Sequence, residues 1–195
     1  MTSAKVQTVR TGVFIDGSNL FHGARSTRLF IDYEKLKSYL NAHYKTSFFN
    51  FYGCEDTQPS SDVFRAKAVS QQKFHQRLTG LGYDVKLKPL KYLIDGSTKG
   101  DMDVNIATDL RNYENDVECL IFFTGDSDFL PLVEQYWNMG KFIRIFSYES
   151  FLSWELKTFA IQKPRCSYKL IEDIRQEIEF IRPTPPLSTP SLTPH

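Results

Sequence analysis

No stretch of this chain stays apolar for the roughly 18–20 residues that a membrane-spanning helix needs. The opening MTSAKVQTVR has no apolar core of the kind a secretory signal carries. Cysteine is scarce: Cys54, Cys119 and Cys166 are three, an odd number at wide spacing, and supply neither a disulfide framework nor a zinc site. These absences lead us to expect a reducing, cytoplasmic setting. Charge of one sign is missing too, since 24 Lys and Arg stand against 23 Asp and Glu, and a net +1 sets up no whole-molecule field for a polyanion. The glycine-loop signatures are also absent. Without Gly-x-Gly-x-x-Gly, a Walker loop or Gly-x-Ser-x-Gly, the dinucleotide, P-loop and serine-hydrolase readings lose their basis. His22, His43 and His75 have no partner at metal-ligand spacing, and His195 falls in the tail.

What is present is ordinary globular usage, with 41% hydrophobic and 24% charged residues in a 195-residue chain. That excludes disorder throughout and fits one domain, which we place at residues 1–181. A tail over residues 182–195 carries Pro183, Pro185, Pro186, Pro190 and Pro194 and is expected to lack fixed structure. The flat net charge hides an asymmetry. Arg65–Ile94 holds seven bases and one acid (net +6), whereas Asp95–Glu134 holds ten acids and two bases (net −8). A metal-dependent enzyme acting on a polyanion would use such a pair of segments, although from charge alone two solvated faces are the plainer account.

Apolar runs alternate with helical periodicities. Thr8–Ile15, Phe48–Tyr52, Val117–Thr124 and Phe142–Phe146 read as buried strands, and Tyr83–Leu90, with alternating Val85 and Leu87, as a strand at a sheet edge. Helical spacing predicts a helix begun by Asp32 as N-cap, a basic amphipathic helix over Phe64–Leu81, and helices over Asp103–Tyr113 and Phe129–Met139. A last helix is predicted over Tyr168–Ile181, and Val104, Ile106, Ala107 and Leu110 are the expected buried stripe of the third. The alternation implies βαβ units around a mainly parallel sheet, with functional loops at the carboxyl ends of its strands.

Aspartates mark those ends. Asp16 follows the first strand, Asp126 and Asp128 follow the most apolar one, and Asp103 opens a helix. Singly, each has a plain explanation as a turn or capping residue. Jointly they point to a site where crowded carboxylates would repel one another unless a cation joins them, and oxygen ligands alone select a hard ion such as Mg²⁺ or Mn²⁺. Such an ion can activate water for attack on phosphorus, with Asn19 and Ser127 positioned to orient water or a phosphate oxygen. Phosphoaspartyl transfer would need a second Asp two residues after Asp16, where the chain has Ser18. Phe48, Phe49, Tyr52, Tyr136, Trp137, Tyr148 and Trp154 are candidates for base stacking, with the core as the destination of most.

Three segments in order carry a family resemblance: Phe14-Ile15-Asp16-Gly17-Ser18-Asn19; Lys99-Gly100-Asp101-Met102-Asp103 with Asp109 further on; and Thr124-Gly125-Asp126-Ser127-Asp128-Phe129-Leu130-Pro131-Leu132. Together they resemble the NYN domain, in its LabA-like (DUF88) branch of the PIN-like ribonuclease superfamily. The resemblance spans about Val9 to Phe146, with helical residues to about Ile181 completing the domain. It implies a Rossmann-like PIN fold of the α/β class, a central mainly parallel sheet with helices on both faces. It also implies a Mg²⁺ or Mn²⁺ site from Asp16, Asp103, Asp126 and Asp128 and hydrolysis of RNA phosphodiester bonds. Asn19 and Ser127 match polar positions of the family's site, and Asp109 a further acidic position of open role. On this reading Lys67, Lys73, Lys86, Lys88, Lys91 and Lys99 guide the RNA backbone. By analogy with PIN-like domains, the protein can pair as a homodimer. A non-catalytic RNA- or protein-binding regulatory module on the same fold, and a phosphatase or DNA nuclease on a related site, stay open at this point.

Overall fold

The computed structural model describes residues 10–59, 61–92 and 98–181. Strand β1 (Thr11–Asp16) is buried along its whole length, with Val13 and Ile15 in one apolar cluster and Phe14 in the other. Alternate side chains of a strand point to opposite faces, so two-sided burial demands a cover on each side. β1 pairs on one edge with β2 (Thr46–Glu55), which pairs with β3 (Asp84–Pro89). Its other edge pairs with β6 (Cys119–Phe123), followed by β7 (Phe142–Ser147) and β8 (Cys166–Leu170). The six-stranded sheet runs β3-β2-β1-β6-β7-β8 with every pairing parallel, and a small antiparallel pair, β4 (Lys91–Tyr92) with β5 (Thr98–Lys99), stands apart.

Helices α1 (Gly17–Thr27), α2 (Tyr33–Tyr44), α3 (Asp62–Gly80) and α7 (Arg175–Ile178) contribute Leu20, Leu36, Leu78 and Ile178 to one cluster. Helices α4 (Asp103–Tyr113), α5 (Leu130–Asn138) and α6 (Trp154–Gln162) contribute Ile106, Val133 and Phe159 to the other. Strand order therefore reverses between β1 and β6, and a crevice opens there at the carboxyl ends of the strands.

The α/β class, the parallel sheet and its two helical layers agree with the sequence-based expectation. Asp32 caps α2, its carboxylate accepting from the Glu34 and Lys35 amides. Helix α4 spans the residues expected, and Pro131 falls in the first turn of α5. Four details differ. Val104 is exposed, so the buried stripe of α4 is carried by Ile106 and Leu110. Residues 166–170, partly inside the expected last helix, form β8 instead, because their backbone groups complete the ladder of β7; a short 3₁₀ turn and α7 follow. Helix α6 carries too weak an apolar repeat for the sequence to announce it, and α1 buries only Leu20, Gly23 and Ala24. The proline-rich tail lies outside the described residues.

Candidate metal centre

The site begins with the last residue of β1. Asp16 is only 6% exposed and caps α1, its Oδ1 accepting from the Ser18 amide at 3.0 Å and the Asn19 amide at 3.1 Å. Gly17 follows for lack of room rather than for a turn, since a Cβ there would meet the Phe51 ring and the Tyr52 carbonyl, both at 2.5 Å. Next to β1, β6 ends at Phe123 opposite Ile15, and the chain turns through Thr124 and Gly125 to Asp126. The Thr124 hydroxyl accepts from the Asp126 amide at 3.2 Å, and Asp126 Oδ1 accepts from the Asp128 amide at 2.9 Å. Gly125 is buried beneath the 149–153 segment: its carbonyl accepts from Ser153 N–H at 2.8 Å, and a Cβ would run into the Phe151 carbonyl.

The third arm comes from α4. Asp101 Oδ1 accepts from the Asp103 amide at 2.9 Å, and the Asp101 carbonyl accepts from Lys88 Nζ at 3.0 Å, which ties this turn to β3. Asp16, Asn19, Asp101, Asp103 and Asp126 line one pocket of about 200 Å³, with Ser18 and His22 from α1 on its side. Carboxylate oxygens of Asp103, Asp126 and Asp128 lie within 4.8 Å of one another, with Asp128 exposed at the rim. Asp16 stands outside that close trio but shares the pocket. Ser127 opens a 3₁₀ turn before α5 and does not line the pocket, so the expected helix N-terminus is not at this residue.

The crowding is visible in protonation. Burial pushes the Asp103 carboxyl up to about 7, helped by the hydrogen bond and charge of Asp101 and the charges of Asp16 and Asp126. Burial also raises Asp16, with Asp126 adding to the shift and the Asn19 and Ser18 amides opposing it. Among the described residues, no lysine or arginine is ion-paired with Asp16, Asp103, Asp126 or Asp128. Asn19 Oδ1 is buried without a hydrogen-bond partner. Clustered oxygen donors, carboxylates without an ion pair among the described residues and an unsatisfied amide oxygen fit a hard divalent ion.

Asp109 is placed differently. It accepts from the Tyr52 hydroxyl at 2.9 Å and pairs with Lys86 at 2.5 Å, fastening α4 to β2 and β3. Lys86 also faces Asp84 at 3.6 Å, so Lys86 and Lys88 are both engaged within the protein. Lys67 and Lys73 are exposed on α3, whereas the side chains of Lys91 and Lys99 lie outside the described residues. Of the aromatic candidates, Phe49, Tyr52, Tyr136 and Tyr148 are core, Phe48 and Trp137 half-buried and Trp154 exposed. Asp101 and His22 belong to the pocket, although the sequence offers Asp101 only within a motif and His22 only as a histidine without a partner at metal-ligand spacing. The signal for His22 is its spacing from Ser18, one helical turn along α1, usable only once α1 is known.

Relatives add an independent line. Over 195 aligned residues, 95% of this chain and 96% of the relative, the sequence is 27% identical to the Low amplitude and bright protein LabA of Synechococcus elongatus. The fold is similar to the crystal structure of a protein of unknown function from Vibrio parahaemolyticus, with a TM-score of 0.67, 26% identity, and coverage of 89% of this chain and 98% of that one. Residues 10–162 match the NYN domain. That match takes in β1 through α6, and with them every arm of the acidic pocket: the chain belongs to the NYN domain family.

Proposed function

We propose that this protein is a metal-dependent ribonuclease that hydrolyses RNA phosphodiester bonds at the acidic pocket. The observation that carries this reading is the meeting of Asp16, Asp103 and Asp126, from three separate chain segments, in one pocket, with no ion pair to a lysine or arginine among the described residues. Carboxylates forced together at a cost in protonation free energy mark a place where charge must arrive from outside. A Mg²⁺ or Mn²⁺ ion, when bound, supplies that charge and activates water for attack on phosphorus.

The chain's own groups divide the remaining work. Asp103, Asp126 and Asp128 hold the ion with their neighbouring oxygens. Asp16, locked by the Ser18 and Asn19 amides, keeps the floor of the pocket negative and rigid. Asn19 Oδ1 accepts from a water or a 2′-hydroxyl, and His22, which lines the pocket, contacts a phosphate oxygen. The Asp103 carboxyl, raised to about 7 by burial and its acidic neighbours, would have to lose its proton to serve as a ligand. Family membership supports phosphodiester chemistry, and RNA as substrate rests on that membership.

The test is incubation of the purified protein with RNA and Mn²⁺, with and without EDTA, beside Asp126→Asn. Fragments that require Mn²⁺ and vanish in the folded variant support the reading. RNA bound without fragments points to a non-catalytic module, and equal turnover by Asp126→Asn rejects the assignment.

A further inference from the structure

Away from the acidic pocket, a cleft of about 700 Å³ lies between α1 and α3. Its walls are unusual for a solvated surface. Phe21 on α1 is 55% exposed and Phe64 on α3 is 45% exposed, where an ordinary surface would carry polar side chains. Each is paired with a cation from its own helix: Arg25 lies 5.6 Å from the Phe21 ring centre and Lys67 lies 5.2 Å from that of Phe64. The spacings are one helical turn, so each helix presents an aromatic face and a positive head side by side toward the cleft.

The cleft and the acidic pocket each share lining residues with a third concavity of about 320 Å³ between them. A passage lined by Phe21, Gln71 and Phe74 on the cleft side reaches Ser18, His22 and Gly100 on the pocket side. His75 lines that passage, is 6% exposed, and its Nδ1 is buried with no hydrogen-bond partner.

We infer that the α1–α3 cleft is a track for single-stranded RNA, with Phe21 and Phe64 stacking unpaired bases and Arg25 and Lys67 meeting the phosphates, leading the strand past His75 to the acidic pocket. Stacking on aromatic faces beside cations is how single strands are held without reading their sequence, and a duplex, whose bases already stack on one another, cannot use it. The inference rests on the ribonuclease reading for what happens at the end of the track, but binding along it can be measured separately.

Two assays keep the claims apart. Binding of a fluorescein-labelled oligouridylate is measured in EDTA, so that no ion at the acidic pocket takes part. Phe21→Ala and Phe64→Ala are each expected to weaken it by about 5- to 150-fold, the range for loss of one stacked base, while Phe64→Trp retains it. Arg25→Gln and Lys67→Gln should each reduce the slope of log affinity against log salt by about 0.7. A blunt RNA duplex should bind more weakly and respond little to the Phe variants. Both aromatic residues are exposed, so their removal takes nothing from the core. Hydrolysis of bis(p-nitrophenyl) phosphate with Mn²⁺ then reports the acidic pocket alone: the cleft variants should keep it and Asp126→Asn should lose it. Failure of the wild type there overturns the ribonuclease reading without touching the track. Unchanged oligouridylate affinity in both Phe variants overturns the track, as does loss in those variants of self-association, or of binding to a synthetic peptide of residues 182–195, in place of RNA affinity.

Discussion

Asp103 and Asp109 stand less than two turns apart on the same helix, and the fold treats them in opposite ways. Asp109 receives the Tyr52 hydroxyl and the Lys86 ammonium, so its charge is met within the protein. Asp103 is surrounded by Asp101, Asp16 and Asp126, and its carboxyl is held up to about 7 by burial and those neighbours. A carboxylate that fastens a helix to a sheet comes with its own cation. One that is left among other acids costs stability in the free protein and recovers it when a ligand brings the charge. The contrast also explains why α4 can serve both purposes: Asp109 anchors the helix body while its first turn is presented to the crevice between β1 and β6.

The largest expected effect comes from the unpaired set. Asp126→Asn should lower RNA cleavage by about 100-fold or more, with the far-ultraviolet spectrum and cooperative melting retained. The paired set should instead respond through stability. Lys86→Met leaves Asp109 part-buried without its cation and should cost about 1–3 kcal/mol, less than for a fully buried pair because Lys86 and Asp109 keep 29% and 21% of their side-chain exposure. In a chain of this size that is roughly 2–12 °C in Tm, read by calorimetry. The smallest effect has the opposite sign. Asp103→Asn, by removing a repelled carboxylate, should raise the Tm of the metal-free protein slightly at neutral pH.

That last comparison has a pH signature. The folded state binds the Asp103 proton more tightly than the unfolded chain, where an Asp titrates near about 3.9, so the folded protein holds more protons between the two values. Metal-free stability should therefore fall as pH rises from about 4 to about 7. Melting across that window should show a steeper fall in the wild type than in Asp103→Asn; equal slopes would mean that Asp103 is not the repelled group.

How far the sequence speaks depends on whether a feature is local. The continuous apolar run that becomes β6 and the Asp32 cap of α2 are local, and both are legible. Helix α1 is not, because its buried face holds one large apolar residue, Leu20, beside Ala24 and Gly23, and it is Gly23 that the Tyr148 ring packs against. Strand β8 lies at the sheet edge with every residue half-buried, so it lacks both an apolar run and an alternation, while Ile171, Ile174 and Ile178 beyond it carry a helical spacing. The same division runs through the site. Asp16, Asp103 and Asp126 could be read because each sits at a boundary the sequence marks. The commitment of Lys86 to Asp109, the entry of His22 into the pocket and the exposed faces of Phe21 and Phe64 are consequences of which helix packs beside which strand.

The claim that the acidic pocket awaits a hard divalent ion is tested most directly by melting the protein at neutral pH with and without Mn²⁺, beside Asp126→Asn. A wild-type Tm that climbs with Mn²⁺, by roughly 5–10 °C when the ion is about 100-fold above its Kd, and a variant that scarcely moves, are the predicted result. A wild type indifferent to Mn²⁺, or a variant that climbs equally, would contradict it.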